Sequence, residues 1–165
     1  MGDQATATAP VAPGAPRKTG SPHGDAWGAL TRTHAAIVGR LQEGLAAADL
    51  PPLPWYEVLA TAADAPEQRM KMGELAESLV ITRGGLTKLV DRLIKAGLME
   101  RTFCETDRRV SYATLLPAGA EMLEEMRPVV IAELRSAFSA KLSVAEADEL
   151  RETLERVRVS ACGQG

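Results

Sequence analysis

Aromatic side chains are scarce in this sequence: two Trp, two Tyr and two Phe, 4% of the residues. Beside abundant Ala and Leu, that scarcity disfavours a β-sandwich and favours helices. Cysteine is nearly absent as well. Cys104 and Cys162 give no metal-binding spacing and no disulfide framework, so neither a zinc site nor any other metal site is expected. No run of about eighteen apolar residues exists to span a membrane. The first residues lack the apolar segment of a secretory signal, so a bacterial-type cytoplasmic location is the expectation. Histidines number only two, one of them in the low-complexity start of the chain, and no Ser/His/Asp or Cys/His set is suggested. Thr82–Gly85, TRGG, lacks the strand and the lysine of a phosphate-binding loop. Catalysis is not expected, and no cofactor is implied.

A chain of 165 residues with 45% hydrophobic content can bury one core, which excludes a large two-domain enzyme. The net charge of −3 conceals a local excess. Arg69 to Arg109 hold nine Lys/Arg against six Asp/Glu, whereas the other residues hold ten against sixteen. Positive charge is concentrated in one segment.

Residues 1–24, MGDQATATAPVAPGAPRKTGSPHG, carry almost no large apolar side chain and read as a flexible tail. From about 25 to 48, Trp27, Leu30, His34, Ile37, Val38, Leu41 and Leu45 recur at helical spacing. Prolines 51, 52 and 54 end that helix, and Pro54 opens a shorter one carrying Trp55, Val58, Leu59 and Ala62. Two short helical patterns follow: Met72, Leu75, Ala76 and Leu79, then Leu86, Leu89, Val90 and Leu93 up to Gly97. With Thr82 as N-cap of the second, they read as a helix-turn-helix. Leu98–Phe103 and Val110–Leu115 suit two strands around the polar turn Cys104–Arg109. Pro117 begins a long helix with the stripe Leu123, Met126, Val130, Leu134 and Phe138; Pro128 inside it predicts a kink. The last helix starts at Ser143, whose SVAE matches a capping box with Glu146.

The fold class that follows is mainly α with a small β-hairpin wing. Taking 100° per residue, the face opposite the Leu86–Leu93 stripe carries Gly84, Lys88, Asp91 and Lys95, flanked by Thr87 and Arg92. Each glycine in a helix costs about 0.5–1 kcal/mol relative to alanine, so Gly84 and Gly85 in one first turn need a reason. A helix N-terminus presents unpaired N–H groups and about half a positive charge, both suited to phosphate. Without side chains there, the backbone can approach an anion closely, leaving Arg83, Thr87 and Lys88 to reach base edges or phosphates. The competing readings are a frayed first turn for the glycines and a solvated charged face for Lys88 and Arg92. Asp91 facing DNA would be repelled unless paired with a neighbour such as Arg92 or Lys95, so a structural role is expected for it.

The stretch MKMGELAESLVITRGGLTKLVDRLIKAGLMERTFCETDRRVSYATLLPAG resembles the winged helix-turn-helix of MarR-type transcriptional regulators, down to LVDRL, GLMER and the DRR of the wing. The likeness extends over roughly residues 27–160. It implies a domain over 25–160, with the winged helix-turn-helix at about 55–116. Dimerisation helices at about 25–48 and 117–160 would interlock in a homodimer and hold two winged domains against double-stranded DNA. It also implies a repressor released from a pseudo-palindromic operator by a small aromatic or anionic effector bound between the lobes. Two departures stand out: Leu116 where relatives usually cap the helix after the wing with Ser or Thr, and Gly84 and Gly85 where relatives often carry polar side chains.

Candidate DNA contacts are therefore Thr82, Arg83, Gly84, Gly85, Thr87, Lys88 and Arg92, with Asp107, Arg108 and Arg109 in the wing. An arginine at a hairpin tip can enter a narrow A·T-rich minor groove. The resemblance implies that Asp107 orients one of the two arginines, and Arg109 matches the last position of the family's Asp-x-Arg pattern; a polar turn without a partner is the bland alternative. For an effector, the resemblance points to a pocket near Arg32, His34, Trp55 and Tyr56, with Arg40 another cation for a carboxylate. Against it, His34 and Trp55 suit plain core or interface positions. Cys104 lies among Arg101, Arg108 and Arg109, surroundings that favour a thiolate and leave a redox-sensing regulator as one alternative. A winged-helix protein-interaction module without DNA binding is the other. The basic residues at Arg83, Lys88 and Arg109 disfavour it.

Overall fold

The computed structural model describes residues 20–103 and 110–162. Its elements are α1 (Pro22–Ala47), α2 (Leu53–Ala63), β1 (Arg69–Lys71), α3 (Met72–Ser78), α4 (Arg83–Lys95), β2 (Met99–Phe103), β3 (Ser111–Leu115), α5 (Pro117–Ala137) and α6 (Val144–Cys162). Helix α1 begins three residues before the apolar periodicity does, because Ser21 caps it: the Ser21 hydroxyl accepts from the Gly24 N–H at 3.1 Å, with Pro22 in the first turn. The prolines after α1 are not what stops it. Asp49 turns left-handed (φ 58°), and Leu50 and Asp49 donate back to the carbonyls of Leu45 and Ala46 at 3.0 and 3.1 Å. The same double closure ends α4 at Gly97 (φ 73°), where Leu98 donates to Leu93 and Gly97 to Ile94.

Eighteen apolar residues are buried, and among the described residues no polar or charged residue is. They form two clusters. The larger gathers Val58 and Leu59 from α2, Leu75 from α3, Leu86, Val90 and Leu93 from α4, Met99, Ala113 and Leu115 from the sheet, and Leu123 from α5. The smaller joins Leu41 and Leu45 of α1 to Leu53, Met126 and Val130. Tyr56 and Met122 pack against both clusters and tie the helical lobe to the winged lobe. Along α1 and α5, Arg40 donates to Glu133 at 2.9 Å. Next to that pair, Gly44 leaves so little room that a Cβ would stand 2.7 Å from Glu133 Cγ. A larger residue there would oblige the Glu133 side chain to move.

The sheet has three strands rather than two, in the order β1-β3-β2 and antiparallel throughout. The hairpin was expected. β1 was not, because Arg69–Lys71 is too short to show alternation and its partners, Tyr112 to Thr114, lie far along the chain. Arg69 stacks over the Tyr112 ring at 5.1 Å and pairs with Glu67 at 2.9 Å. α5 is continuous through Pro128, and its N-cap Leu116 supplies no side-chain hydrogen bond. α6 opens on the expected capping box: Glu146 Oε2 accepts from the Ser143 N–H at 2.8 Å, and the Glu146 N–H donates to Ser143 Oγ at 3.3 Å. No described residue of α6 is buried. Among the described residues no helix is long and apolar enough to cross a membrane.

Candidate nucleic-acid interface

α4 is set by its buried stripe. Leu86, Val90 and Leu93 are sealed in the larger cluster and Leu89 packs beside them, which turns Thr87, Lys88, Arg92 and Lys95 outward, all exposed. Thr82 caps the helix as expected: its hydroxyl accepts from the Gly85 N–H at 3.1 Å, and its carbonyl accepts from Leu86 at 2.9 Å. Arg83, Gly84 and Gly85 are exposed in the first turn. A Cβ on Gly84 would meet nothing within 4 Å, whereas one on Gly85 would stand 3.1 Å from Thr82 Oγ1. The protein itself therefore imposes no need for glycine at 84.

The Thr87 hydroxyl is partly committed, donating to the Arg83 carbonyl at 2.9 Å, so outward it offers a methyl group and an acceptor. Asp91 pairs with neither Arg92 nor Lys95. Its Oδ1 accepts from Arg101 Nη2 on β2 at 2.9 Å. The correction has a geometric cause: alternation along β2 places Arg101 on the side of buried Met99, beneath α4, while Arg92 and Lys95 point to solvent. That alternation was readable in the sequence and would have singled out Arg101.

β2 and β3 pair from Met99 opposite Leu115 to Phe103 opposite Ser111, which directs the wing away from the core. Cys104, Asp107, Arg108 and Arg109, named from the sequence, lie outside the described residues. Between α3, the start of α4 and the root of β3 runs a cleft of about 450 Å³ whose walls include Lys71, Glu74, Glu77, Arg83, Thr87 and Ser111. No periodicity pointed to it, since its walls come from four separate elements, β1, α3, α4 and β3.

The residues named for an effector are not gathered in that cleft. Trp55 and Tyr56 are half-buried against the core of α2. Arg32 and His34 are exposed on α1, and the Arg40 guanidinium is engaged by Glu133. His34 shares its stripe with Leu30 and is, like Leu30, exposed in the single chain, so it is not a core residue: of α1, only Gly28, Leu41 and Leu45 are buried. Glu57 is exposed as a residue, but partial desolvation of its carboxyl between α1 and α2 pushes it above the usual carboxylate range, and nearby His34 pulls it partly back. That proximity, between a side chain of α1 and one of α2, had no signal in either helix alone.

The sequence profile of the MarR family matches residues 48–110, which run from the residue after α1 to the residue before β3. The chain is 30% identical over 105 residues to the HTH-type transcriptional regulator MhqR of Bacillus subtilis (strain 168), a match spanning 64% of this chain and 68% of that one. The chain belongs to the MarR family. Two solved structures of MarR family transcriptional regulators from Streptomyces coelicolor carry the likeness through the flanking helices. AbsC superposes with a TM-score of 0.79 at 26% identity, covering 87% of this chain and 97% of AbsC. Sco3205, solved in complex with DNA, gives 0.79 at 27% identity over 86% of this chain and 92% of Sco3205. Within this MarR-family chain, α3 and α4 are the helix-turn-helix, and β2 and β3 the wing.

Proposed function

We propose that this chain is a homodimeric DNA-binding transcriptional repressor of the cytoplasm, a binding protein and not an enzyme. α4 lies in the major groove and the wing in the flanking minor groove. One observation carries the reading: the face of α4 opposite its buried stripe combines a capped, bare N-terminus at Gly84 with exposed Lys88, Arg92 and Lys95. Arg83, Thr87 and Lys88 reach base edges or phosphates, Thr82 and Gly85 hold the N-terminus in shape, and Asp107 with Arg108 and Arg109 serves the wing. That Sco3205, of the same fold, was solved in complex with DNA supports DNA binding here.

Dimerisation through α1, α5 and α6 is supported by the apolar side chains those helices leave uncovered. Trp27 and Leu30 on α1, Leu134 on α5, and Leu154 and Val157 on α6 are all exposed in the single chain. No described residue of α6 is buried, and a polar helix with an apolar flank is stable chiefly when a partner covers it. Two α4 helices related by a two-fold axis would engage half-sites about 34 Å, or roughly 10 bp, apart. A small aromatic or anionic effector between the lobes, near Arg32, His34, Trp55 and Tyr56, would release the DNA.

The test is selection of bound sequences from a random duplex pool, followed by titration across salt concentrations. Enrichment of a pseudo-palindrome whose affinity falls steeply with salt is the expected result, since phosphate contacts release counterions. A chain that sediments as a monomer, or enriches no sequence, rejects it.

A further inference from the structure

Among the aromatic residues of the winged lobe, Trp55, Tyr56 and Tyr112 are half-buried, Tyr112 beneath the Arg69 guanidinium. Phe103, at the outer end of β2, is 60% exposed. Its register fixes which way it faces. Phe103 pairs with Ser111 across the hairpin, and cross-strand partners project from the same face of a sheet. Ser111 belongs to one wall of the cleft that Arg83 and Thr87 of α4 close on the other side. Alternation along β2 agrees, since Phe103 shares its face with Arg101, which reaches Asp91 on α4. A phenyl ring is therefore held in water on the α4 side of the wing, an unfavourable place for apolar surface until a partner covers it.

Duplex geometry supplies that partner. With α4 in the major groove and the wing in the neighbouring minor groove, the reading on which this inference rests, one sugar–phosphate strand separates the two and crosses the mouth of the cleft. Lys71 neutralises Glu74 at 2.9 Å, whereas Glu77 adds a second carboxylate to the α3 wall. A phosphate is thus repelled from the floor of the cleft and drawn to its Arg83 rim. Phe103 meets the same strand from the wing side. We propose that Phe103 packs its ring against a deoxyribose of this strand, so that the backbone is gripped by charge from α4 and by apolar contact from β2. The sugar offers carbon-bound hydrogens, including those at C2′, where ribose carries a hydroxyl. Such a contact does not depend on base sequence, and it releases no counterion. It sets the register of the duplex between the two elements and favours DNA over RNA at this point.

Phe103→Ala should weaken binding about tenfold, to the selected operator and to an unrelated duplex alike, as expected for the loss of a partly buried aromatic at each of two wings. The slope of affinity against salt should stay that of the wild type, because no phosphate contact is lost. Phe103→Leu, still apolar, should regain most of the affinity. Replacing single nucleotides of the operator with ribonucleotides locates the contact: one 2′-hydroxyl in each half-site should weaken the wild type and leave Phe103→Ala unaffected. Unchanged affinity in Phe103→Ala overturns the inference and leaves the ring to a protein partner or to solvent. A shallower salt slope overturns it too, by tracing the loss to phosphates, as does a ribonucleotide scan that is the same in both proteins. A fallen melting midpoint would make Phe103 a support of the hairpin instead. A wild type that enriches no operator defeats the DNA-binding reading itself, before any variant is compared.

Discussion

Gly119 lies against the Leu98 carbonyl, so close that a Cβ at 119 would stand 2.1 Å from the oxygen and 2.8 Å from Leu115 Cδ1. The same carbonyl accepts from the Leu116 N–H at 3.0 Å. The first turn of α5 is thereby seated on the root of the wing, where the two lobes meet. Gly119→Ala should destabilise the protein by about 1–3 kcal/mol or more, because the obstacle is backbone and not the yielding end of a side chain. Thermal unfolding checks it, and an unchanged midpoint would show that α5 can shift freely.

Gly84 and Gly85 separate two causes. Gly84→Ala meets no protein atom, so it should stabilise the helix by about 0.4–1 kcal/mol. If the bare N-terminus serves close approach to DNA, operator affinity should fall all the same. Gly85→Ala crowds Thr82 Oγ1 at 3.1 Å and strains the cap, so its stability gain should be smaller or reversed. Higher stability at 84 with undiminished affinity would sink the close-approach account.

Val80 is out of character for its backbone. It closes α3 as Asp49 and Gly97 close their helices, with Ile81 donating to the Ala76 carbonyl at 3.1 Å, yet a β-branched side chain stands at φ 53° and is 90% exposed. Left-handed backbone costs such a residue about 1–2 kcal/mol. Val80→Asn should therefore raise stability by about 1 kcal/mol, seen as roughly 2–4 °C in the midpoint for a chain of this size. A fall would mean that Val80 makes contacts worth more than its strain.

Glu57 gives a pH dependence of defined sign. Its carboxyl is raised above the usual range by partial desolvation on an otherwise exposed residue, His34 opposing in part, so the effect is small. A raised folded value means that the protonated form suits the fold, so its contribution is complete in acid below the usual carboxylate range and is lost as pH rises through the folded value. Glu57→Gln should then exceed the wild type in midpoint at neutral pH and match it in mild acid. A gap that widens toward acid would reverse the assignment.

Features that rest on neighbours within about a turn were legible in the order of residues. The stripe Leu86–Leu93, the Thr82 cap and the Ser143–Glu146 box depend on residues three or four apart, and each is found as read. The hairpin follows for the same reason, its two strands lying on either side of one turn. Tertiary structure decided the rest, because those contacts join segments that periodicity cannot relate. β1 exists only through its pairing with β3, and Asp91 chose Arg101 over its helix neighbours because β2 passes beneath it. His34 is exposed in the single chain although its helical spacing is apolar, since no other described element of the chain covers that half of α1. Gly119 must be glycine because of a carbonyl twenty-one positions earlier, a constraint that exists only once α5 is laid against the wing.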